Sequence, residues 1–590
     1  MPVASFCAPR ESEGNATLLV LVDSSQSEYA HVGETVLAAL AHFGMPYRLH
    51  DLARGPLAAR DLARHAAAVI AQEHLGPRLK PSDLKALLNA LEGGLGLVNF
   101  DHDLGAYSDS LSDALGLAGS HAGGRVGVDG ADALVVSQNS HFISYTQDAG
   151  ATHRFRMPVP IALTRLKGPG ASILAETAAG APAVIATRIG QGRAVQWLVS
   201  PRLWLLQYFG HAHGLDDLFW KSIVWGARKP FVMKAMPPFV RLRFDDCNGL
   251  WRTAQDFRFV DVLNEFGHTP SLCLCMRAVT GDGARRISEL HASGRAQFAP
   301  HTLAPGTSIF YGDERGPYPE PELRAIMKEV DELFARWGVR PSRILSDHDH
   351  EYSSPVVPLL KERGICFKMN ITLPDERWTD IHVDWRPAPY GSMSYALDYL
   401  PDTRDLFVVF NHYPSFDYAR GYLPNGRFLY NRAGGFGPYM WDFLNGLTTY
   451  RGDRGRNDIE AAAQRLAAHT RLGLDSLFFG GSITHSHFTE QFSEAEWRAL
   501  LSRYEELTAR HDKRNVPYEL IAEYARGKFD THLAGAGWDA RAGAFHCALT
   551  GATRVPLELY VFRDVDDAVE HRFETVPEFN GRVDVSFAGS

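Results

Sequence analysis

The chain has 590 residues, 45% hydrophobic and 22% charged, with no low-complexity tract, so any part of it can bury a core and about three or four domains are expected from ordinary domain size. A formal charge of -9, without a Lys/Arg run long enough to track a phosphate backbone, argues against a nucleic-acid partner. No stretch of about 18 apolar residues occurs, so no transmembrane segment is expected.

The opening "MPVASFCAPRESEGNATLLVLV" lacks a cationic leader followed by an apolar run and a cleavage site, which predicts a cytoplasmic protein, or an exported one if a leader has been removed. The 6 Cys are scattered without a CxxC and read as mostly reduced core thiols. Cys273 and Cys275 alternate along "SLCLCM", share a strand face and are badly placed for a mutual disulfide.

From 17 to about 105, strand and helix patterns alternate. "TLLVLVD" (17–23), "AAAVIAQ" (66–72) and "GGLGLVNFD" (93–101) read as buried strands, and "YAHVGETVLAALAHFG" (29–44) has helical spacing with a Gly stop. Such alternation predicts a doubly wound parallel sheet. The stretch 131–200 is richer in β pattern, with a turn at Gly190-Gln191-Gly192, and "LDDLFWKSIVWGA" (215–227) reads as a closing helix. "HAH" (211–213) lacks a strand-end acid and reads as a surface loop, and "ARKPFVMKAMPPF" (227–239) reads as a linker because of its Pro pair.

Between 240 and 530 the strand candidates are "VRLRF", "TPSLCLCM", "AQFAPH", "SRILSDHD", "ICFKMN", "DLFVVFNHY" and "SLFFGGSITH". Helices "PELRAIMKEVDELFARWG" (321–338) and "DIEAAAQRLAAHTRLG" (458–473) carry apolar residues at i, i+3 and i+4 and end at Gly. This many βα units predicts a barrel. Residues 413–450 are too long for an ordinary loop and suit a wall of a substrate groove. The tail 531–590 alternates in twos between turn residues and reads as a small antiparallel β unit.

In a βα barrel, reactive groups collect at the carboxyl ends of strands. "RFDDCNGL" (243–250) ends one such strand with two adjacent carboxylates, Asp245 and Asp246, although repulsion and desolvation both disfavour the pair. Taken alone, two aspartates there make a turn or a cap. Beside His301, and with further histidines at 348, 350, 412, 485 and 487, they fit a divalent cation held by one carboxylate and two imidazoles, which lowers the pKa of water and polarises a carbonyl. Asp246 and His301 are candidates for two ligands and Asp245 for a proton acceptor.

"RFDDC" resembles the T-F-D-D-G first motif of the polysaccharide deacetylase family, also called NodB-like or carbohydrate esterase family 4, a distorted (β/α) barrel. The resemblance implies that Asp245 is the general base and Asp246 a metal ligand. "FAPHT" (298–302) resembles the second motif, making His301 a ligand; "HVDW" (382–385) resembles the D-W motif, with Asp384 and Trp385 at the substrate; "SLFFGGSITHSH" (476–487) resembles the last strand, whose His485 or His487 is the general acid. Two departures stand out. Position 305 is Pro where the family has a second His, and "SRILSDHDHEYSS" (342–354) lacks the Arg that orients the base. His348 or His350 is expected to furnish the missing imidazole, and Arg243, two residues before Asp245 on one strand face, the missing guanidinium. His412 and Tyr413 are expected to line the substrate cleft.

The N-terminal segment resembles class I glutamine-amidotransferase-like or trehalose-utilisation-like domains. With no Cys between residues 8 and 246 to act as a nucleophile, it is expected to be non-catalytic. The expected organisation is 1–230 amidotransferase-like, 236–530 NodB-like barrel and 531–590 small β domain. The expected activity is metal-dependent deacetylation of an N-acetylated glycan, with zinc as the default divalent ion. Hydrolysis of a non-carbohydrate amide, or glycan binding without catalysis, are the rival readings.

Overall fold

The computed structural model describes residues 10–588, apart from 120–126, 206, 248–255, 306, 313–315, 349–354, 370–396, 400–402, 410–441, 445, 450–455 and 567. These residues form two compact units, one of 1–235 together with 527–590 and the other of 236–526.

The first unit is built on a ten-stranded mixed sheet. Tyr47–Asp51, Leu18–Val22, Ala67–Ile70, Gly96–Asn99 and Gly192–Trp197 lie side by side in that order and run parallel. The runs Leu18–Val22, Ala67–Ile70 and Gly96–Asn99 are buried at every position, as expected for strands covered on both faces. Beyond Gly192–Trp197 the sheet turns antiparallel through Pro182–Ile189, Ala171–Thr177, Gly127–Val136, Thr152–Leu166 and Leu117–Gly119. The doubly wound expectation therefore describes only half of this sheet.

Two stretches depart from what their sequence patterns predict. The stretch 227–239 is not a solvated linker: Phe231–Met233 is a fully buried strand paired with Leu557–Val565, since its apolar side chains outweigh the Pro signal. His211 is buried, not on a surface loop, because Asp216 in the first turn of helix Asp216–Gly226 sets its Oδ1 3.2 Å from His211 Nδ1. The tail forms antiparallel strands, with Thr531–Asp539, Ala544–Thr553 and Phe579–Ala588 in one sheet and Leu557–Val565 pairing Ala568–Val576 in another.

In the second unit, strands Gln297–Thr302, Ser271–Cys275, Phe239–Cys247 and Gly480–His485 are neighbours in that order, all parallel. A second sheet joins Ile344–Leu345, Phe367–Lys368 and Phe407–Val409 in parallel, with Leu397–Tyr399 antiparallel at its edge. The Ser342 amide donates to the Phe298 carbonyl at 2.7 Å, linking the edge strand of the first sheet to the approach of the second.

Helix Glu320–Trp337 buries Leu323, Met327, Val330, Phe334 and Trp337 along one stripe and stops at Gly338, whose φ of 66° accommodates the cap. Helix Ile459–Asp475 runs past the expected stop at Gly473. A Cβ there would lie 2.3 Å from the Phe479 carbonyl oxygen, so this glycine serves close packing on the following strand, not termination. No helix among the described residues is long and apolar enough to cross a membrane.

Candidate metal centre

The central strand Phe239–Cys247 is buried at all positions and shares hydrogen bonds with strands on both sides. Its alternation breaks at the carboxyl end. Phe244 pairs with Leu272 and Cys247 with Leu274, so three steps on one strand match two on its neighbour, and Asp246 takes a left-handed φ of 54°. Such a bulge re-aims side chains that would otherwise point to opposite faces. Both aspartates end up buried in one polar cluster, and the Ser486 hydroxyl donates to the Asp246 carbonyl at 2.7 Å to hold the turn. A left-handed aspartate held by its surroundings is a local strain of the kind concentrated at functional sites.

Asp246 Oδ1 lies 3.3 Å from His301 Nε2 and 4.0 Å from His348 Nε2, and one ligand atom from each of the three residues falls within 4.8 Å of the others. Two donors about 2.1 Å from a tetrahedral ion stand about 3.4 Å apart, so this set is close to a coordination shell. His301 Nδ1 sits 2.5 Å from the Ser346 carbonyl oxygen. That bond requires hydrogen on Nδ1, so Nε2 is the ring atom turned toward Asp246 and the one a metal would take. Burial disfavours a charged Asp246, but the hydrogen bond from His301 and the nearby imidazoles of His485, His301 and His348 hold its carboxyl well below the usual carboxylate range. Carboxylate plus two imidazoles suits a borderline divalent ion such as zinc.

Asp245 faces Arg243, whose Nε donates to Oδ1 at 2.5 Å and whose Nη2 donates to Oδ2. Both residues are buried, and the two parallel bonds form a bidentate fork. His485 ends the neighbouring strand, opposite Asp245 in register. Its Nδ1 is 2.6 Å from Asp442 Oδ2, and although burial works against its charged form, Asp442, with Asp246 and Asp245 farther off, raises its pKa to about 9. Asp442 is fully buried and forms a parallel bridge with Ile483, two residues before His485 and thus on the same strand face.

The structure thus brings together Asp245, Asp246, Arg243, His301, His348 and His485. His487 is the second residue of the short helix Ser486–Thr489, with its ring 5.4 Å from that of His485 and 4.2 Å from that of Phe488. His350, Asp384, Trp385, His412 and Tyr413 lie outside the described residues.

Several groups at this site carried no usable signal in the sequence. Asp442 is one acid in a long aromatic and Gly-rich stretch, and only its bridge to Ile483 reveals its place. Lys368 donates to Asp347 beside His348 in a buried ion pair. Cys273 belongs to a second trio, Asp245, Cys273 and His301, that also falls within 4.8 Å. Desolvation, then the Asp245 charge, push its thiol up to about 12. Cys275 Sγ is 4.0 Å from Asp246 Oδ1.

No family model matches this chain, and no curated protein matches it. Solved structures with partial likeness include a protein named as a polysaccharide deacetylase from Mycobacterium smegmatis, 15% identical over 50% of this chain and 91% of that one, with a TM-score of 0.33. A mutant CE4-family pseudoenzyme with restored enzymatic activity is 12% identical over 48% of this chain and 68% of its own, with a TM-score of 0.26. A Salmonella typhimurium protein named cytoplasmic protein STM3548 is 14% identical over 36% of this chain and all (100%) of its own, with a TM-score of 0.28. Each of these three TM-scores is below 0.5.

Proposed function

We propose that this chain is a metal-dependent hydrolase of amide bonds that removes acetyl groups from an N-acetylated amino-sugar polysaccharide or oligosaccharide. The observation that carries the reading is the convergence of Asp246, His301 and His348 on one point, with Asp245 and its guanidinium partner beside them.

Asp246, His301 and His348 would hold a divalent ion, with zinc the default and His350 an alternative imidazole. Such an ion lowers the pKa of water and polarises an amide carbonyl. Asp245, held in place by the Arg243 fork, takes a proton as water attacks the carbonyl carbon. His485 has its Nδ1 on Asp442 and holds a proton at neutral pH, so it can protonate the leaving nitrogen as the C–N bond breaks, giving acetate and a free amine. His487, the neighbouring imidazole, is the alternative acid. Asp384, Trp385, His412 and Tyr413 are proposed to contact the sugar, with Trp385 against the acetyl methyl.

In this reading, 236–530 is a divergent NodB-like barrel, 1–230 a non-catalytic amidotransferase-like module and 531–590 an accessory β domain. The test is acetate release from N-acetylglucosamine oligomers by the zinc-loaded protein, set against Asp245→Asn. Release that disappears in the variant supports the reading. Tight zinc binding without release from any acetylated glycan favours a different amide substrate, and glycan binding without zinc or acetate favours a carbohydrate-binding protein.

A further inference from the structure

Of the trio Asp245, Cys273 and His301, only Cys273 has no part in the hydrolytic scheme above. The trio's ligand atoms lie within 4.8 Å of one another, and the three residues are only 2%, 1% and 2% exposed. A thiol, a carboxylate and an imidazole so arranged form a softer donor set than Asp246, His301 and His348.

We propose that Asp245, Cys273 and His301 form a second cation site, selective for thiophilic divalent ions such as cadmium, whose occupation excludes a cation from the Asp246–His301–His348 set. The exclusion follows from His301. Both sets draw on this one imidazole, whose Nδ1 also meets the Ser346 carbonyl, so a dication on one set repels a second on the other.

Selectivity follows from the sulfur. Cys273 must lose its proton to coordinate, and forming a thiolate in a buried position is costly. A hard ion gains too little from sulfur to meet that cost and stays with Asp246, whereas cadmium, more thiophilic than zinc, gains the most from it. As the metal–sulfur bond forms, the Sγ proton leaves to solvent, one per ion bound. The charges then balance: the thiolate and the Asp245 carboxylate offset the dication, and Arg243 remains on Asp245 as a fixed positive neighbour. Occupation would also take the proposed base out of use.

Cadmium chloride is titrated into the full-length metal-free protein, following sulfur-to-cadmium charge-transfer absorption and proton release. The expected result is one buried-thiolate equivalent of absorbance that is lost in Cys273→Ser and retained in Cys275→Ser and in His348→Ala. Retention in Cys273→Ser, or loss only in Cys275→Ser, overturns the proposal, since the sulfur would then come from elsewhere. If Cys273→Ser does not fold, X-ray absorption of the unaltered protein with one equivalent of cadmium decides: a sulfur together with nitrogen and oxygen neighbours supports the site, and a shell without sulfur refutes it. Neither readout uses acetate release, so failure here leaves the deacetylase reading standing, and failure of that reading leaves this site intact.

Discussion

The buried carboxylate of Asp442 grips His485 at 2.6 Å across two adjacent segments of the second unit. This contact sets a charge. His485 is raised to about 9 from an ordinary value of 6.5, so it carries a proton across neutral pH. The folded form holds that proton more tightly than the unfolded chain, so the stabilisation is fully present below about 6.5 and is lost as pH climbs through about 9. Replacing Asp442 with Asn should move the basic limb of the hydrolysis profile toward lower pH and flatten the alkaline loss of stability. Rate profiles and thermal melts between neutral and alkaline pH check both.

Arg243→Met removes the fork from a buried carboxylate. Breaking such a pair costs about 3–5 kcal/mol of stability. It should also slow hydrolysis, because Asp245 then lacks the two parallel bonds that orient it. Arg243→Lys keeps the charge but loses the two parallel bonds, and should fall between wild type and Met in both measurements. Urea titration and steady-state rates read the two effects separately, and an unchanged rate in Arg243→Met would remove Arg243 from the mechanism.

Removal of His301 should abolish stoichiometric zinc, and removal of His348 should weaken it strongly, because the three donor residues leave an ion few other protein contacts. Elemental analysis of dialysed protein is the measurement. If His348→Ala retains full zinc, the third ligand is another residue, and His350→Ala becomes the next variant to analyse.

His268 is a titrating group far less favourably placed. Neither ring nitrogen has a hydrogen-bond partner among the described residues, and burial, reinforced by Lys513, lowers its pKa to about 3. The unfolded chain gains a proton here as pH falls below about 6.5 while the folded chain does not, so stability should drop between about 6.5 and about 3. His268→Phe should remove part of that acid sensitivity, on the order of a few kcal/mol by the lower limit of the window. Denaturant midpoints across this range, wild type against variant, give the comparison.

Much of this architecture is written in local pattern. Runs such as "LLVLV" and "AAVI" need both faces covered, and the five apolar positions of Glu320–Trp337 mark one stripe, so both kinds of element are readable before any coordinates. Local signals also mislead where packing overrides them. Gly473 looks like a helix stop yet lies inside a helix because the Phe479 backbone comes too close for any Cβ. The Pro-rich stretch 227–239 looks solvated, yet Phe231–Met233 finds a partner strand more than 300 residues away in Leu557–Val565. At the centre, the adjacent aspartates and His301 stand out in sequence because their spacing relative to strand ends carries meaning. Asp442 and the carbonyl of Ser346 do not, since their roles arise from strand neighbours and backbone direction that no residue type encodes.

The left-handed backbone at Asp246 also decides which substitutions can be interpreted. Asparagine tolerates that conformation nearly as well as aspartate, whereas alanine or a β-branched residue pays about 1–2 kcal/mol for it. Asp246→Asn is therefore the variant that silences the carboxylate while sparing the bend. An alanine scan through the same position would confound geometry with electrostatics and misassign a folding defect to lost chemistry.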